Sequence, residues 1–77
     1  MRVQYFAVLR EEAGRSEEEM NTSARTMGEL YEELRARHGF GLDRARLKVV
    51  VNEEFDEWSR PLRDGDTIVF IPPVAGG

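Results

Sequence analysis

A small α+β domain, a mixed β-sheet with one helix packed across one of its faces, is the fold class this sequence predicts, on three observations. Three short apolar runs, at residues 3–9, 47–51 and 67–71, have the length of strands and are bounded by charged or turn-forming residues. One further segment, between Thr26 and Gly39, carries apolar residues at helical spacing with a cap signal at each end. At 77 residues the chain makes one domain, and a domain of that size buries only roughly 60% of its unfolded surface, so these elements must share a single core.

In chain order, the run from Val3 to Leu9 reads as a strand with Val3, Tyr5, Ala7 and Leu9 on one face and Gln4, Phe6 and Val8 on the other. Gly14 marks a turn. Ser16 to Thr22 is polar and suits an edge strand that Glu17, Glu18 and Glu19 keep solvated. Thr26 and Glu29 have capping-box spacing, so a helix of about thirteen residues, roughly 20 Å long, starts there. Met27, Leu30, Tyr31 and Leu34 form its apolar face. Arg37 and His38 fall in the last turn, where cations suit the helix dipole, and Gly39 closes it. Leu47 to Val51 is the second apolar strand, followed by a polar turn at residues 52–54 and a short strand or loop holding Phe55 and Trp58. Trp58 is either a rim core residue or part of an interface. Asp64-Gly65-Asp66 reads as a tight turn, with too few ligands for a calcium loop. Thr67 to Ile71 is the third apolar strand. The first and last strands, being the most apolar, belong side by side at the centre, which is the β-grasp arrangement. Residues 1–71 then make the domain and residues 72–77 an extended tail.

Composition narrows the function. Fifteen acidic against eleven basic residues give a net charge of −4, the wrong sign for a nucleic-acid binder. No apolar run approaches the length of a membrane span and the start lacks a signal-peptide core, so a cytoplasmic location without membrane contact is expected. There is no cysteine, so any sulfur the chain handles cannot ride on a side-chain thiol, and no thiolate metal site exists. His38 has no serine or second histidine at a useful spacing, so no metal site or catalytic triad is expected.

The most informative segment is Ile71-Pro72-Pro73-Val74-Ala75-Gly76-Gly77. Proline has no N–H and a fixed φ, so the sheet ladder must stop at Pro72 and the chain must leave as a semi-stiff arm. Two glycines without Cβ atoms can thread a narrow channel and present an unhindered carboxylate to another protein's active site. A partner needs an apolar surface near the root of that arm, and Phe6, Val8, Val69 and Ile71 supply one on the sheet face opposite the helix, unless some of them are simply core.

Tyr5-Phe6-Ala7-Val8-Leu9-Arg10-Glu11-Glu12-Ala13-Gly14, Val51-Asn52-Glu53, Pro61-Leu62-Arg63-Asp64-Gly65-Asp66 and the terminal block from Ile71 to Gly77 together resemble the MoaD family, the sulfur-carrier small subunit of molybdopterin synthase. The diproline before the diglycine favours that family over the related thiamin sulfur carrier. The resemblance implies a ubiquitin-like fold whose Gly77 carboxylate is adenylated by a separate, MoeB-like enzyme using ATP and converted to a thiocarboxylate. The tail would then enter a MoaE-like large subunit and give its sulfur to a cyclic pyranopterin. The chain itself would bind no cofactor and would not be catalytic alone. Gly77 would carry sulfur, Gly76, Ala75 and Val74 would thread, and Pro73 and Pro72 would aim the arm. Three rivals remain open from the residues: a protein modifier forming isopeptide bonds, a sulfur carrier for thiamin or transfer-RNA thiolation, and a non-catalytic interaction module.

Overall fold

The computed structural model describes residues 1–73. In chain order it contains β1 (Arg2–Tyr5), α1 (Ala7–Ala13), β2 (Glu17–Glu19), α2 (Met27–His38), a 3-10 turn (Arg44–Arg46), β3 (Lys48–Val51), β4 (Glu54–Asp56) and β5 (Thr67–Ile71). The strands form one sheet in the order β2-β1-β5-β3-β4. β1 and β5 are parallel and every other pair is antiparallel. The first and last strands are therefore adjacent, with β5 at the centre, and the fold is a β-grasp with α2 across one face.

Side-chain alternation divides the sheet cleanly. Val3 and Tyr5, Val49 and Val51, and Ile68 and Phe70 are buried on the helix side, against Met27, Leu30, Tyr31 and Leu34 of α2. Tyr31 is the hub: its ring stacks on Phe40 and meets Phe70 edge-on at 5.2 Å, and its hydroxyl donates to the Leu42 carbonyl at 2.6 Å. Burial pushes that phenol up to about 12. Trp58 stacks parallel on Phe70 at 5.9 Å while half-buried, which makes it a rim member of the core.

The caps of α2 follow the sequence. Thr26 accepts from the Glu29 amide at 3.2 Å, but the Glu29 carboxylate takes the Arg25 amide rather than that of Thr26. The Thr26 segment instead pairs with the chain around Pro61, through Leu62 N–H to the Arg25 carbonyl and Met27 N–H to that of Arg60. Gly39 closes the helix in the left-handed region, φ 73°, and donates to the Arg35 carbonyl.

The first apolar run does not behave as one strand. It is extended only to Tyr5; Phe6 caps α1, and Ala7 turns the corner at φ 51°. Residues 7–13 are mostly strong helix formers followed by a glycine, and helical spacing brings Leu9 into the core with Ala13 packed beside it. Leu9 is thus buried as expected, but from a helix. Ala7, expected beside it, is exposed, and Val8 lies on α1 and not on a sheet face.

Two carboxylate side chains are buried, one of them in the strand expected to be a solvated edge. Glu18 turns inward between Glu17 and Glu19, accepting from the Tyr5 hydroxyl and meeting His38 Nε2 at 2.9 Å. Its side chain is only 8% exposed, so this position is no solvated edge and His38 is not without a partner. Asp66 is the second. It accepts from Arg60 Nη1 and the Arg63 amide at 2.9 Å each and from Asn52 Nδ2 at 3.0 Å, tying the 64–66 turn to the β3–β4 turn.

Candidate functional site

The site is the ground from which residues 72–77 depart. β5 is held on both sides, Gln4 and Val50 flanking Val69, and Lys48 pairing with Ile71. It ends at Ile71, where Pro72 can no longer donate to a ladder. Pro72 is itself buried and Pro73 exposed, so packing extends one residue past the strand. Val74, Ala75, Gly76 and Gly77 lie outside the described residues.

The open face of the sheet surrounds this exit. Register places Gln4, Val69, Val50 and Phe55 in one cross-strand row, with Ile71 and Lys48 in the next toward the exit. Val69, Val50 and Ile71 are half-buried, while Phe55 is 71% exposed. Phe6 follows Tyr5, the register partner of Phe70, in extended conformation, so it continues this face beside the end of β5. It is 48% exposed, and Val8, one residue past the corner, is 39% exposed. The structure therefore brings Phe6, Val69 and Ile71 together on the face opposite α2, and leaves Val8 on the flank. Phe55 was missed as a member of this surface; its pairing with Val50 puts it there, and an exposed phenylalanine after a turn was the available signal.

Lys48, the register partner of Ile71, is exposed beside the exit, whereas the buried titratable groups are engaged elsewhere. His38 and Glu18 are engaged with each other beneath the opposite face, and Asp66 has both carboxylate oxygens occupied. Burial opposes the charge on Asp66, but hydrogen bonds from Arg60, the Arg63 amide and Asn52 outweigh it and hold the carboxyl below its ordinary range. Among the described residues no cluster of three or more His, Cys, Asp or Glu side chains is placed to hold a metal. Nor is any described helix long and apolar enough to cross a membrane. The arrangement is a half-exposed apolar surface beside the end of the central strand β5.

Comparison with known proteins gives a consistent picture. The model of the ThiS family matches residues 3–77. The molybdopterin synthase sulfur carrier subunit of Escherichia coli is 32% identical over 80 residues, covering 100% of this chain and 99% of its own. Among solved structures, SAMP1, the small archaeal modifier protein 1 of Haloferax volcanii, superposes with a TM-score of 0.79 at 26% identity, covering 99% of this chain and 97% of that one. Subunit 1 or 2 of the molybdopterin-converting factor complex from Helicobacter pylori matches with a TM-score of 0.66 at 26% identity, over 99% and 96% of the two chains.

Proposed function

The chain belongs to the ThiS family, and from that premise we propose that it is a sulfur carrier serving as the small subunit of a molybdopterin synthase. The observation that carries this reading is the exit geometry. The central strand β5, fixed by β1 and β3, ends at Ile71 on an apolar face that includes Phe6, Val69 and Phe55, and the sequence continues from there into Pro-Pro and then Gly-Gly. The end-to-end likeness to the Escherichia coli carrier subunit supports it.

The chemistry follows from the properties of a carboxylate, a poor electrophile until one oxygen becomes a good leaving group. An ATP-using, MoeB-like enzyme would supply that: the Gly77 carboxylate attacks the α-phosphorus, pyrophosphate leaves, and an acyl-adenylate forms. A sulfide-level nucleophile then attacks the acyl carbon, AMP leaves with the electron pair of the broken C–O bond, and loss of the sulfur's proton leaves a thiocarboxylate. This thioacid is nucleophilic without any cysteine, in keeping with a sequence that has none. In the complex with a MoaE-like large subunit, Gly76, Ala75 and Val74 thread, Pro73 and Pro72 aim the arm, and the sulfur passes to a cyclic pyranopterin. The large subunit supplies the groups that activate this substrate, so the carrier is not catalytic alone. The complex of subunits 1 and 2 from Helicobacter pylori supports a large-subunit partner. Deleting Gly77 and assaying dithiolene formation with the large subunit tests the proposal: activity should vanish, and full activity would refute it.

The likeness to a small archaeal modifier protein favours one second reading, transfer of the same acyl group to lysines of other proteins. Lysine-linked adducts that disappear with Gly77 would establish it.

A further inference from the structure

We propose that Tyr5, Glu18 and His38 form an acid-sensitive clasp that holds edge strand β2 and the last turn of α2 onto β1, so that protonating Glu18 frees β2 before the rest of the sheet opens. The sulfur-carrier reading makes no use of these groups, and the clasp is independent of it.

The geometry is that of a three-element junction. Tyr5 ends β1, Glu18 is the middle of β2 and His38 is the last residue of α2. One carboxylate oxygen, Glu18 Oε1, accepts the Tyr5 hydroxyl and faces His38 Nε2 at 2.9 Å, while Oε2 lies 3.6 Å from Arg15 Nη1 in the turn before β2. The Tyr5 and His38 rings meet edge-on at 5.7 Å, and both contact Phe40. Of the two arginines in that turn of α2, Arg37 is paired with Glu33, which also accepts from Thr22, and Arg35 is paired with Asp43. Among the described residues Glu18 is therefore the single carboxylate joining the three elements.

β2 is three residues long, pairs only with β1 among the described residues, and its other two side chains, Glu17 and Glu19, are exposed; Glu19 adds one solvent-exposed ion pair to Arg2 of β1 at 3.1 Å, a contact of small worth. An edge strand with so little apolar burial belongs to the low-stability end of a domain. Burial opposes ionisation of Glu18, but the bonds from Tyr5 and His38 and the charges of His38 and Arg15 outweigh it and hold the carboxyl below its ordinary value. A carboxylate depressed in the folded state stabilises that state above its unfolded value, and the stabilisation disappears as pH falls through the folded value. Once Glu18 is protonated, Arg15 loses its counter-charge and Oε1 is a weaker acceptor for both partners. The corner from Tyr5 to Ala7, which carries Phe6, shares this anchor.

The test is amide hydrogen exchange on the free protein. The Tyr5 amide bonds the Ser16 carbonyl and the Met20 amide bonds that of Met1, so both report the β1–β2 ladder. As pH falls from neutral through the folded Glu18 value, their protection should fall roughly tenfold to a hundredfold relative to the β3–β5 ladder, as expected for losing bonds to a charged acceptor. Glu18→Gln should show the lowered protection already at neutral pH and no further relative fall. His38→Ala, which leaves the carboxylate but removes one donor, should fall between the two. Parallel loss of protection in both ladders of the wild type, or a wild-type profile in Glu18→Gln and His38→Ala alike, would overturn the clasp.

Discussion

Phe55 stands two strands from Val69 in the same row of the open sheet face, and Val50 is the register partner of both. That row links the outer edge of the sheet to the strand from which the diproline departs. It gives the exit a hydrophobic surround extending beyond the residues next to it, and it sets the first prediction.

Phe55→Ser should leave stability within about 0.5 kcal/mol of the wild type, because the ring is mostly exposed. Affinity for the large subunit should nevertheless fall at least about tenfold, the loss typical of an aromatic anchor. Denaturant unfolding and calorimetric titration measure the two effects separately.

Asp66 should make the domain acid-sensitive. Its folded carboxyl is depressed by the Arg60, Arg63 and Asn52 bonds, so its contribution is complete above its unfolded value and is lost as pH falls through the folded one. Asp66→Ala should cost about 1–3 kcal/mol at neutral pH, since Asn52 and the Arg63 amide lose their acceptor while Arg60 keeps its ion pair with Asp56. The cost should shrink toward acid, as followed by urea midpoints at several pH values.

Thr26→Ala should lower stability by about 1 kcal/mol, the usual worth of an N-cap side chain, because the Glu29 amide loses its acceptor. Thermal unfolding reads this directly, and the Thr26→Ser variant should recover most of the loss.

Glu53→Gly should stabilise the domain by about 0.5–1 kcal/mol. Asn52 and Glu53 both have positive φ, 51° and 74°, as a two-residue hairpin between β3 and β4 requires, and glycine is the preferred second residue of such a turn. An unchanged or lower unfolding midpoint would contradict this.

These cases also show what a sequence of this kind discloses. α2 was legible because caps and apolar spacing agree within it, and β5 because its apolar run is cut by a proline. α1 was hidden because residues 3–9 are apolar at both a period of two and a helical period; only the exposure of Ala7, which a strand would bury beside Leu9, separates the two. Glu18 read as one of three equivalent glutamates, since its partners Tyr5 and His38 lie 13 and 20 residues away. Phe55 needed the register of β3 against β4 before it could be assigned to a face. Local signals specified the elements, while the polar junctions and the docking row depend on long-range pairing.

The most direct test of the central claim is intact mass spectrometry of the protein before and after incubation with its activating enzyme, ATP and a sulfur source. The predicted result is a gain matching one oxygen replaced by sulfur, localised to Gly77 by fragmentation. No gain with an activating enzyme shown to be competent would contradict the sulfur-carrier function.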